Sequence, residues 1–173
     1  MTKRILLAAL VLISMAGLAE AHPDHNATGF THGFLHPLTG WDHIVAMVSV
    51  GFFAATLGGK ARFAVPATFV AMMAAGGTWA MAAMPLPFVE IGIMTSVVVL
   101  SGVAALRWNA SLYAAIALCG FFAVFHGYAH GMEMPTDAAG LTYSLGFMLA
   151  TAALHGAGLV GGLLMARKAV PQA

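Results

Sequence analysis

Two short stretches of this chain carry residue types that bind metal ions. His36-Pro37-Leu38-Thr39-Gly40-Trp41-Asp42-His43 opens one apolar segment, and His126-Gly127-Tyr128-Ala129-His130-Gly131-Met132-Glu133 closes another. Neutral imidazole with ionised carboxylate suits a first-row divalent ion such as Ni²⁺, Co²⁺, Zn²⁺, Cu²⁺ or Fe²⁺, and the residues alone do not choose among them. Both side chains are costly in hydrocarbon, where they mark substrate or ion pathways. A set without thiolate suits passage, because a conducting site must bind well enough to admit an ion and loosely enough to release it.

Composition sets the elements that must position these groups. The chain has 173 residues, of which 61% are hydrophobic and 8% charged, and its mean hydropathy is +0.90. Soluble domains carry roughly 25% charged residues, so the expected solvent is a lipid bilayer. A formal net charge of +1 offers no basic face to a nucleic acid. No GxxxxGK(S/T) loop is present, so the chain binds no nucleotide by that route and is no ATP-driven pump by itself. The single cysteine, Cys119, excludes an intrachain disulfide and reads as a small packing residue.

Residues 1–21 have the pattern of a cleavable signal peptide: Lys3 and Arg4, an apolar run from Ile5 to Ala16, and Ala19-Glu20-Ala21 as the small-x-small site. The mature chain, 22–173, is expected to be one all-α transmembrane domain. Its five helices are placed at about 34–57, 63–84, 88–106, 110–132 and 140–165, each about the length that crosses a hydrocarbon core. Helices are required because lipid leaves no backbone group free to bond water. With the new N-terminus outside, the inner segments hold Lys60, Arg62, Arg107, Arg167 and Lys168, and the outer loops hold no Lys or Arg. That split follows the positive-inside rule and puts the expected C-terminus in the cytoplasm.

Orientation gives each polar residue a depth. His36, Asp42 and His43 fall in the outer half of the first span, and His126, His130 and Glu133 in the outer half of the fourth. At about 1.5 Å rise per residue, His43 and His126 both lie roughly 10 Å below the outer surface. The i, i+4, i+7 spacing of His126, His130 and Glu133 puts them within an arc of roughly 60°. Pro37 favours extended geometry at His36, which makes His36 a loop ligand above the helix. Asp42 points about 100° from His43, so it either joins the ligands or orients one of them. Accessory candidates are His22, His25 and His32 for capture outside, Glu90 at the outer start of the third span, and His155 for exit on the inner side. For His155 the plain alternative is a bond to a neighbouring carbonyl. For His32 it is solvation, and for Asp42, His43, His126, His130 and Glu133 together it is hydrogen bonding between helices.

The two motifs, with Gly51-Phe52 after the first and Phe125 before the second, resemble the signatures of the HupE/UreJ family. The resemblance runs through the whole chain. It implies an inner-membrane permease for nickel, or cobalt, that supplies hydrogenase or urease. It also implies that His36, Asp42, His43, His126, His130 and Glu133 handle the ion. The ion would be cargo, with no cofactor permanently bound. Three rival classes remain at this point: a membrane metalloenzyme with a di-iron or zinc site, a b-type haem protein with axial histidines, and a metal sensor or accessory subunit that does not transport.

Overall fold

The structure, a computed structural model, describes residues 29–134 and 138–168. The signal peptide assigned to 1–21, and with it His22 and His25, lies outside the described residues. Among those described, all regular structure is helical: α1 (Gly29–Thr39), α2 (Trp41–Leu57), α3 (Ala61–Met81), α4 (Val89–Ala105), α5 (Leu112–Glu133) and α6 (Ala138–Lys168).

The helix ends carry local causes. Ser111 caps α5, its side chain accepting from the Ala114 N–H at 3.2 Å, which satisfies one of the free donors at a helix start. Gly58 ends α2 with φ 73°, a conformation that costs a residue without Cβ little. α3, α5 and α6 are long and apolar enough to cross a membrane. α1 and α2 together form a fourth such stretch, and α4 is a shorter apolar helix of 17 residues, about 25 Å at 1.5 Å per residue.

The first span departs from expectation. A continuous helix over about 34–57 does not form: α1 and α2 meet at an angle of 82°. The break is at Gly40, which is extended (φ −85°, ψ 111°), and not at Pro37. Pro37 is buried within α1, and His36 is helical rather than a loop residue. The Thr39 hydroxyl donates to the His36 carbonyl at 2.8 Å, beside the break. The other four helices match the expected segments to within three residues at each end.

α3 packs along α5, and α6 packs along both α1 and α2. Glycine allows the close approach. A Cβ at Gly127 would collide with the Met73 backbone, and one at Gly158 with the Val48 carbonyl. Gly131 meets Gly77 and Ala80 of α3 in the same way. The GxxxG spacings of α5 and α6 are therefore real seams, as small residues are in membrane bundles. The interior holds Met47, Val50, Phe53, Val65, Phe69, Leu100 and Cys119, while Phe63, Val98, Tyr113 and Leu141 project from the outside. A bundle apolar on both its inner and outer surfaces is suited to lipid rather than water.

Candidate metal centre

α5 presents His126, His130 and Glu133 on one face, as their spacing requires, and the α1–α2 bend brings two more histidines to that face. Two overlapping groups result. In the outer one, Glu133 Oε2 lies 3.1 Å from His36 Nε2 and 3.3 Å from His130 Nδ1. In the inner one, ligand nitrogens of His43, His126 and His130 lie within 4.8 Å of one another. His130 belongs to both. The bend explains why His36 and His43 need not share a helix face: α1 delivers one ring 4.9 Å from His130, and α2 delivers the other 5.2 Å from it.

The groups form a track that descends into the bundle. Side-chain exposure falls from 56% at Glu133 to 20% at His36 and 18% at His130, then to 3% at His43 and 1% at His126. An ionised carboxylate only accepts hydrogen bonds. Glu133 therefore takes a proton-bearing nitrogen from each neighbour, His36 Nε2–H and His130 Nδ1–H. The neutral His130 ring then keeps its Nε2 lone pair for the inner group. Below the track, the Phe69 ring lies between His126 (centroids 5.8 Å apart) and His155 (5.3 Å). His155 is buried, and both of its ring nitrogens lack a hydrogen-bond partner, so the carbonyl bond that would have made it ordinary is not formed. It lines a cavity of about 520 Å³ together with Arg62 and Pro66.

The remaining sequence candidates fall outside both groups. Asp42 Oδ1 accepts from the His43 backbone N–H at 2.8 Å, in the first turn of α2, where a negative charge is favoured by the helix dipole. That bond holds the start of the helix that carries His43. Glu90 is exposed in the first turn of α4, away from both groups. His32 sits one turn before His36, rings 6.1 Å apart, and extends the track outward.

With that geometry, comparison with known proteins is direct. The model of the family described as "HupE / UreJ protein" matches residues 9–173. The chain belongs to the HupE / UreJ family. A curated relative, "Protein HupE" of Rhizobium leguminosarum bv. viciae, is 41% identical over 150 residues, covering 87% of this chain and 78% of the relative. No solved structure matches. Both stretches that hold the histidine track lie inside the region matched by the HupE / UreJ model.

Several site residues escaped the sequence reading. Phe147 walls the track, its ring 4.3 Å from His130 and 5.1 Å from His43. The buried Tyr143 ring lies 6.1 Å from His36, and its hydroxyl lacks a partner. Thr151 Oγ1 is 3.3 Å from His43 Nε2, and Ser96 Oγ is 2.7 Å from His126 Nε2. A signal existed for three of them: Tyr143, Phe147 and Thr151 precede His155 at intervals of four, one stripe of α6.

Proposed function

We propose that this protein carries Ni²⁺, with Co²⁺ as a second cargo, inward across the bacterial inner membrane to supply hydrogenase or urease. The observation that carries the reading is the pair of three-ligand groups sharing His130, open at Glu133 and closed at His126. A structural cage would surround one ion with four fixed ligands. Two incomplete sites with a common ligand are instead suited to handing an ion on.

An arriving ion, gathered by His22, His25 and His32, meets Glu133, His36 and His130. It replaces the hydrogen bonds that hold Glu133 to the two imidazoles, and the proton on each of those nitrogens moves to the ring's other nitrogen, so both rings stay neutral. Uptake therefore weakens as the medium is acidified, because protons compete for the same atoms. The carboxylate offsets the ion's charge while water is stripped from it. As the His130 proton returns to Nδ1, the ion passes to the far nitrogen of that ring and joins His43 and His126. From there it moves past Phe69 to His155, whose free nitrogens receive it, and leaves through the cavity beside Arg62. Five spans fit this route, with the bent α1–α2 pair as the first and α4 as the third. The signal peptide is removed, the N-terminus is periplasmic, and the lipid bilayer is the surrounding medium. Ion flow follows a gradient, and the ion is cargo rather than a resident cofactor.

The test is Ni²⁺ entry into vesicles reconstituted with the purified protein. Wild type is expected to load the vesicles, and His36→Ala to load them no faster than empty lipid. Binding of Ni²⁺ without entry would leave a sensor or accessory subunit in place of a permease.

A further inference from the structure

Two buried hydroxyls, each from a helix that supplies no ligand to either group, touch the two most buried imidazoles of the inner group. Ser96 of α4 and Thr151 of α6 are both 0% exposed. The Ser96 hydroxyl has one proton, and it is donated to the Ile93 carbonyl at 2.6 Å. Its oxygen can then only accept from the nitrogen 2.7 Å away, His126 Nε2. That nitrogen must carry the proton of the neutral ring, which leaves the lone pair on Nδ1. At His43 the decision comes from the opposite atom. Nδ1 is buried without a partner, and a buried orphan N–H is rarer than an under-used acceptor. Nδ1 is therefore the bare nitrogen, and Nε2–H donates to Thr151 Oγ1 at 3.3 Å.

We propose that Ser96 and Thr151 are positioning residues that lock His126 and His43 in the Nε2–H tautomer, so that both rings offer Nδ1 to the ion. The inference rests on the inner group being a metal site and adds how that site is made ready before the ion arrives. His43 and His126 are 3% and 1% exposed, so their ring protons do not exchange freely with bulk solvent. Partners of this kind fix ring orientation and raise ligand basicity, and their loss costs roughly 10- to 100-fold in affinity.

The decisive measurement is the ¹⁵N spectrum of histidine-labelled, metal-free full-length protein in lipid nanodiscs, with two-bond proton correlations that identify the protonated nitrogen. His126 and His43 are expected to show a protonated Nε2 and an unprotonated Nδ1. Ser96→Ala should mix the two forms at His126 and weaken Ni²⁺ binding, measured by equilibrium dialysis, by roughly 10-fold or more. Ser96→Thr, which keeps the hydroxyl, should restore both. Thr151→Val and Thr151→Ser form the matching pair for His43. A wild-type spectrum with Nδ1–H at either ring overturns the proposal for that ring and needs no variant to fold. Unchanged tautomer and affinity in Ser96→Ala would overturn it for His126. A correct tautomer in a wild-type protein that binds no Ni²⁺ would leave the proton assignment standing and remove the metal reading instead.

Discussion

The two ends of the histidine track are built differently. The outer group contains a carboxylate, is open to solvent at Glu133, and already holds itself together through hydrogen bonds to His36 and His130. The inner group contains imidazoles alone and is closed over, with one nitrogen of His43 left without a partner. An orphaned buried polar atom costs about 1–3 kcal/mol, so the inner end is the more strained of the two without an ion. The contrast teaches a direction. The outer end attracts and neutralises a hydrated cation, and the inner end gains most from receiving one stripped of water. His130 links them because it belongs to both groups.

Removing the link has the largest expected effect. His130→Ala takes a ligand from both groups, and cellular nickel accumulation should fall to the level of cells without the protein. Glu133→Gln and His126→Gln should then separate the two ends. The first keeps the shape of the outer side chain but removes its charge, and should raise the apparent KM for uptake by about tenfold, the scale of losing one charge-assisted contact at 1.4 kcal/mol. The second leaves capture intact and should lower maximal flux while changing the apparent KM little. If both variants changed KM alone, the two groups would be one site.

Much of this was legible in the residues. The all-helical membrane architecture followed from hydropathy, and the α5 face followed from i, i+4, i+7 spacing, a property of any helix. The first motif was harder. Its hydrophobicity runs through Gly40 without a change, because an apolar segment looks alike whether straight or bent. Pro37 pointed to an extended His36 just above the helix, yet His36 is helical and the chain bends at Gly40. Ser96 was invisible for a different reason. A serine in an apolar helix commonly bonds its own backbone, and only the packing of α4 against α5 puts His126 beside it.

The helix that carries His126, His130 and Glu133 is seated on α3 through glycine, and that seat can be broken next. Gly127 adjoins His126, and any Cβ there meets the Met73 backbone, which cannot swing aside as a side chain would. Gly127→Ala should destabilise the protein by about 1–3 kcal/mol, the usual cost of overpacking, and should lower the unfolding temperature in detergent. Gly156→Ala is the control, since a Cβ there meets nothing within 4 Å and a helix gains about 0.8–1 kcal/mol from alanine over glycine. Equal behaviour of the two variants would show that the seam does not hold the track together.

Asp42 offers the finest cut between the two ends, because its role depends on which it serves. Its Oδ1 accepts from the His43 N–H at 2.8 Å, and that N–H is one of the free donors at the start of α2. An asparagine side chain can accept the same bond through its oxygen, whereas alanine cannot. Asp42→Asn should therefore keep most of the uptake rate, and Asp42→Ala should lose it several-fold as the His43 turn loosens, a loss of about 1 kcal/mol typical of a missing helix cap. Circular dichroism should find both variants equally helical overall, since only one turn is affected. Were Asn as damaging as Ala, the charge itself would be in use, and Asp42 would join Glu133 in neutralising the ion at the outer end.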